Sequence, residues 1–302
     1  MSTFKERESS GLLLALLGFA LLSCGDAVIK TMGDEWAGTA IAALRFSLGA
    51  LLLGALVAKQ QGRAGFVAPR PWLQVARGFM LAFASLLFFL SIFVMPLAEA
   101  TAISFATPAI VALLSALLLR ERIPAISWLA LLLASAGVAI VLRPNFLDLG
   151  PAALMPLIAA FAMAGFFLVN RATAQDVPPV AAQFWAAAWA APFQLVAMGI
   201  GVASGIASLQ LSMPDWTVVA RCALVAVSAS AAHYLIFLGT MRASAATIAP
   251  ASYVQIIVAL LIGAMVFGDF PDAVAIGGTL LIIMAGLMLW RAQFPMPLRR
   301  RG

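Results

Sequence analysis

Trp72-Leu73-Gln74-Val75-Ala76-Arg77 and Trp216-Thr217-Val218-Val219-Ala220-Arg221 stand 144 residues apart, and each begins an apolar run on a tryptophan and reaches an arginine five residues later. The register that superposes them also pairs Ala82 with Ala226 and Phe93 with Phe237. As the offset drifts to 148, Leu117-Leu118-Leu119-Arg120-Glu121 faces Met265-Val266-Phe267-Gly268-Asp269, and then Ala136-Gly137 faces Ala285-Gly286. Near the starts of the halves, Gly25 and Lys30 face Gly165 and Asn170. Apolar residues coincide by chance in any two hydrophobic runs. The weight therefore rests on the shared Trp-x-x-Val-Ala-Arg and on the acidic residues that close each half in the same order.

Of 302 residues, 64% are hydrophobic and 10% are charged, against about 45–50% and 25% in soluble domains. No water-soluble fold hides that much apolar surface, so the chain is read as an all-α membrane protein whose partner is the lipid bilayer. Apolar runs of about 20 residues, bounded by charge, Pro or Gly, mark ten transmembrane helices. They fall at 11–32, 36–58, 72–94, 97–119, 125–142, 151–171, 178–203, 216–239, 243–267 and 273–291. Met95-Pro96 and Met241-Arg242 leave room only for tight turns. Lys5 and Arg7 before Leu21-Leu22-Ser23-Cys24 mimic a lipoprotein signal peptide, but nine more spans follow, so the first helix is read as uncleaved.

The formal charge of +6 does not point to nucleic acid, because the basic residues are scattered singly between apolar runs. Topology explains them. With the N-terminus inside, thirteen Lys and Arg residues, from Lys5 and Arg7 to Arg299-Arg300-Arg301, fall in inside segments, and only Arg143 falls outside. That bias places both termini in the cytoplasm. Since five is odd, residues 11–142 and 151–291 become two five-helix repeats of inverted topology, with 1–10 and 292–302 as cytoplasmic tails. Such an arrangement puts a substrate site near the midplane, between halves that rock around it.

Lys30 late in helix one, Ala42-Ala43-Leu44-Arg45-Phe46 in helix two, and the run from Pro96-Leu97-Ala98-Glu99-Ala100 through Pro108 to Arg120-Glu121, then Ala134-Ser135-Ala136-Gly137-Val138, resemble the EamA branch of the drug/metabolite transporter superfamily. The resemblance covers about residues 11–291. It departs from the family pattern at Ser23-Cys24-Gly25-Asp26, where a Trp is often found, at Ile256, which replaces a second proline, and at Asp269, which replaces Glu. It implies a secondary exporter of small metabolites, most of all amino acids, in the bacterial inner membrane. The implied cavity is lined by helices one, three, four, six, eight and nine.

Charges within spans cost on the order of 2.5–3.5 kcal/mol each at a helix centre, so Asp26, Lys30, Arg45, Arg77, Glu99 and Arg221 each need a reason. Asp26 and Lys30 are four apart and share a face, where they either neutralise each other or meet the ends of a zwitterion. Arg45 or Glu99 is the other available partner. Arg77 and Arg221, one turn inside their helices, read as snorkelling anchors or repeat-related structural contacts. His233, the single histidine, beside Tyr234, suits proton coupling or a substrate carboxylate. Thr101 and Ser104 precede Pro108; Ser252, Tyr253 and Gln255 follow Pro250, making the two prolines hinge candidates. Phe89, Phe166, Asn170 and Tyr234 complete the candidate lining.

Cys24 and Cys222 have no metal or redox spacing, and neither metal nor cofactor is expected. A phosphorylated-sugar or nucleotide-sugar exchanger would want paired basic residues deep in the cavity. An intramembrane enzyme would want facing carboxylates or clustered histidines, and a channel would want a filter loop. Lys30 and Arg45 alone qualify for the exchanger, which stays the alternative, and the enzyme and channel patterns do not stand out. The expected state is a monomer or weak homodimer handling a small-molecule substrate.

Overall fold

The computed structural model describes residues 2–119, 125–173, 178–242 and 249–293. The expected motif end at Arg120-Glu121, the turn after Arg242, the tail beyond Gln293 and the side chain of Pro250 lie outside the described residues.

Among the described residues every regular element is helical, as a chain deprived of water requires, since a helix satisfies its own backbone polar groups. In chain order the helices are α1 (Ser2–Lys30), α2 (Gly38–Gln61), α3 (Pro71–Val94), α4 (Leu97–Ser104), α5 (Thr107–Leu119), α6 (Ala125–Leu149), α7 (Met155–Thr173), α8 (Pro179–Ala203), α9 (Trp216–Arg242), α10 (Val254–Ile262) and α11 (Ala273–Gln293). Among the described residues, seven helical stretches are long and apolar enough to cross a bilayer, and Trp128–Arg143, Ala251–Phe267 and Ala273–Met288 are shorter apolar helices. The chain is a multi-pass membrane protein.

Several boundaries differ from the sequence reading. The first helix begins at Ser2, so the segment read as a tail is helical. The fifth runs on past 142 through Pro144 to Leu149 and ends at Gly150, whose φ of +59° an L side chain resists. The fourth is broken. Pro108 has no N–H to give the carbonyl of Ser104 four residues back, and the Thr107 hydroxyl takes that carbonyl instead, at 2.7 Å. The helix lapses at Phe105 and Ala106 and restarts as α5, with Pro108 in its first turn. Span nine is irregular too, entering through a 3₁₀ segment (Ala249–Tyr253) and leaving α10 through a π-helical turn (Gly263–Phe267) that Gly268 ends at φ +69°.

Packing is set by small residues that let backbones approach. α1 lies antiparallel to α9, and a methyl group on Gly18 would stand 2.7 Å from the carbonyl oxygen of Ala232. α6 meets α11 in the same manner, Gly137 against Gly278. α2 packs on α8, α3 on both α7 and α8, α2 on α9, and α1 on α10. The broken α4 touches α10, and α4 and α5 both rest on α7. Ile29, Met32, Ile41, Ile92, Leu97 and Ile103 are the fully buried centre of this bundle.

Candidate functional site

Two charged side chains meet within the bundle between α1, α2 and α9. Asp26 of α1 and Arg45 of α2 line one cavity with Gly25, Val225, Ser228 and Ala229. Its volume is about 10 Å³, room for roughly one water. The Arg45 guanidinium is held over the Phe46 ring at 4.6 Å and the Phe89 ring at 5.1 Å. Ring faces attract a cation without occupying its N–H groups, so the donor fork stays available. Asp26, Cys222 and His233 all lie within electrostatic range of Arg45. Among the described residues, neither the Asp26 carboxylate nor the Arg45 guanidinium makes a hydrogen bond or a direct ion pair. A carboxylate and a guanidinium thus line one small cavity within the bundle.

The expected neutralisation of Asp26 by Lys30 does not occur. Lys30 ends α1, and its long stem carries the ammonium beyond the helix to Asp269 Oδ2 at 2.7 Å and to the Met95 carbonyl at 3.0 Å, 5.0 Å above the Phe267 ring. The turn at Gly268 delivers Asp269 to it, and the Asp269 amide is fixed on the Gly263 carbonyl at 2.9 Å. Nearby, Arg221 grips both carboxylate oxygens of Glu35, one at 2.8 Å, and also reaches the Thr31 carbonyl at 3.3 Å. The Trp36 indole donates to the Ser212 carbonyl at 3.0 Å. At the opposite end of the bundle Arg70 donates to the Ala172 carbonyl at 2.7 Å.

The Arg221 hydrogen bonds hold the Glu35 carboxyl below its ordinary range. A carboxylate with a lowered value contributes fully above the unfolded pKa of about 4.3 and loses its contribution only as pH falls through the folded value. Closure of this end is therefore expected to be unchanged between pH 5 and 8 on the scale of Glu titration. Thiol accessibility measured across that interval checks it, and a change centred there assigns the titration elsewhere.

Arg221 is tied to the Glu35 carboxylate; Arg77 is a structural contact within the bundle and not a snorkelling anchor. It is 2% exposed, bonded to Gln74 Oε1 at 2.6 Å and the Ala182 carbonyl at 3.3 Å, with its guanidinium 5.8 Å from the Phe166 ring. α8 covers the route to the interface that snorkelling would use. Glu99 is buried, and at the Lys30 end it borders a recess of about 360 Å³ with Asp148 and Asp272.

The remaining candidates do not converge on one point. Phe89 joins Arg45 while Phe166 joins Arg77, and Tyr234 is 48% exposed on α9. Ser104 bonds back to the Ala100 carbonyl at 3.0 Å, and Thr101 is buried. The Tyr253 ring packs on Phe105 at 5.2 Å, where the two irregular spans meet, and its hydroxyl crowds Gly286. The Gln255 carbonyl accepts from Ser23 at 3.0 Å, and Ser252 is half-buried beside Tyr253. Asn170 is half-buried near the end of α7, its carbonyl accepting from Thr173 at 3.2 Å. Among the described residues no three His, Cys, Asp or Glu side chains gather to hold a metal.

Residues 9–143 match the EamA-like transporter family. Over 93% of its length the chain is 24% identical to the S-adenosylmethionine uptake transporter of Rickettsia prowazekii (strain Madrid E), covering 92% of that protein. It is 28% identical to the pseudopaline exporter CntI of Pseudomonas aeruginosa (strain UCBPP-PA14), over 94% of this chain and 97% of that one. A solved structure superposes with a TM-score of 0.61 at 18% identity, covering 93% of this chain and 97% of the other, which is a likeness of fold.

Proposed function

We propose that this chain, whose residues 9–143 match the EamA-like transporters and whose full-length relatives are named as transporters, moves zwitterionic metabolites, amino acids or their derivatives, out across a bacterial inner membrane. The observation that carries this reading is the Asp26 and Arg45 pair, opposite charges facing one cavity with neither spent on a protein hydrogen bond. An α-ammonium suits the first and an α-carboxylate the second. S-adenosylmethionine, in the name of one relative, is itself an amino-acid derivative.

The machine is read as two inverted five-helix units, 11–142 and 151–291, with both termini cytoplasmic and the Lys30 end outside. What supports this is that packing partnerships exchange under it. α1 on α9 answers α7 on α3; α1 on α10 answers α7 on α4 and α5; α2 on α9 answers α8 on α3; and the pairs α2 with α8 and α6 with α11 map onto themselves. The broken span four and irregular span nine correspond as well, and interrupted helices at a repeat interface are where such transporters bind and bend.

Purified protein is expected to unfold at higher temperature with an amino acid than with its methyl ester or its deaminated acid, each lacking one charge. Equal shifts with all three remove the zwitterion reading. Pro108→Ala supplies the missing amide to Ser104 and straightens the break, so flux is expected to fall several-fold with little change in thermal stability. Wild-type flux would remove Pro108 as a hinge.

A further inference from the structure

We propose that the Lys30 and Asp269 pair is a latch that holds the outer end closed. The inference rests on the two-unit reading above. Lys30 belongs to the first unit and Asp269 to the second, and they join at 2.7 Å. Lys30 follows Asp26 by four residues, about 6 Å along the helix. The latch therefore sits one turn beyond the charged cavity, across its route to that end.

Three elements converge on the one ammonium: α1 carries it, the turn between α3 and α4 offers the Met95 carbonyl at 3.0 Å, and the π-helical turn offers Phe267 and Asp269. Any movement that parts the units there breaks the ion pair and strips the cation from its other contacts together. The side chains are 14% and 24% exposed, so the attraction is screened less than on an open surface. Neither side chain is fully buried, so parting the pair does not strand a charge in a sealed interior. Glu35 with Arg221, and Trp36 with Ser212, tie the same two units at the same end.

The repeat sets Asn170 in the place of Lys30 and Glu121 in the place of Asp269. An amide carries no charge, so Asn170 itself cannot make the ion pair that Lys30 makes. A substrate arriving at Asp26 and Arg45 must outcompete this tie for the cavity to open outward.

The test uses the full chain in proteoliposomes, with Cys24→Ala, Cys222→Ala and Ala229→Cys placing one reporter thiol at the cavity. A charged, membrane-impermeant methanethiosulfonate is applied from each side in turn. From the Lys30 side the parent reacts slowly; Lys30→Met and Asp269→Asn are expected to react at least about tenfold faster, as a shifted two-state equilibrium requires. The reversed pair, Lys30→Asp with Asp269→Lys, is expected to return to the slow rate. Asp269→Asn keeps shape and a hydrogen-bond acceptor, so it carries the test by itself where Lys30→Met fails to fold. Unchanged rates in the single variants overturn the latch, and so does a reversed pair as reactive as they are. The readout needs no substrate, so a failed zwitterion assignment leaves it standing, whereas a thiol silent from both sides in every variant overturns the latch together with the two-unit reading.

Discussion

Replacing Arg45 with methionine is expected to lower transport of a zwitterionic substrate about a hundredfold or more in kcat/KM. Met fills similar volume, so the Phe46 and Phe89 rings keep a neighbour, while the charge and the donor fork are lost. Leaving one partner of a buried, hydrogen-bonded charge pair without the other costs about 2–5 kcal/mol, and 1.4 kcal/mol is tenfold. In the variant two costs add: the bound carboxylate loses its partner, and Asp26 loses its neighbouring cation. Asp26→Asn is expected to act in the same direction on substrates that carry an ammonium, and less on those that do not. Arg45→Lys keeps charge but not the planar fork, so an intermediate loss is expected. Initial rates in proteoliposomes, alongside thermal unfolding of each variant, separate site loss from misfolding. Wild-type rates for Arg45→Met would return Arg45 to a structural role.

The second large effect is on stability, at the seams where backbones touch. A side chain at Gly18 would meet the Ala232 carbonyl at 2.7 Å, and one at Gly137 would meet the Gly278 carbonyl at 2.7 Å. Backbone cannot swing aside as a flexible side chain does. Gly18→Val and Gly137→Val are each expected to cost about 1–3 kcal/mol, the penalty of forcing apart a packed interface. Gly49 faces open space, and Gly49→Ala is expected to leave stability unchanged or to raise it by up to about 1 kcal/mol, since alanine is the better helix former. Denaturation in detergent tests the three together. Equal stability of all three would mean that the seams are looser than the interatomic distances require.

Sequence alone fixes what depends on composition and period. Hydrophobic runs mark helices because lipid offers the backbone no alternative, and Pro108 stood out as a hinge because of its missing amide, though the full break of the fourth span did not. The carbonyl freed by Pro108 was legible too, with a neighbouring hydroxyl as a possible taker, and Thr107 takes it. Partners distant in sequence were not legible. Lys30 reaches Asp269 across 239 residues, while its neighbour Asp26, four residues away on the same helix, gave the more obvious pairing. Asp269 was visible as the acidic residue closing the second half, and its charge opposite to that of Lys30 is the clue that pointed to the pair. Arg45 was noted as a possible partner for Asp26 but not as part of the site. Its role emerges from two aromatic rings on different helices, a convergence that no spacing along α2 encodes. The burial of Arg77 was missed for a related reason: a position one turn inside a helix suggests an interface, and only the packing of α8 against α3 denies it one.

The central claim, that the chain carries zwitterions through a cavity defined by Asp26 and Arg45, is tested most directly by flux. Purified full-length protein in liposomes preloaded with one unlabelled amino acid at a time is offered trace radiolabelled amino acid outside. Counterflow above that of protein-free liposomes is expected for at least one of the twenty, and it is expected to vanish in Arg45→Met. No counterflow with any amino acid, or undiminished counterflow in Arg45→Met, would contradict the account.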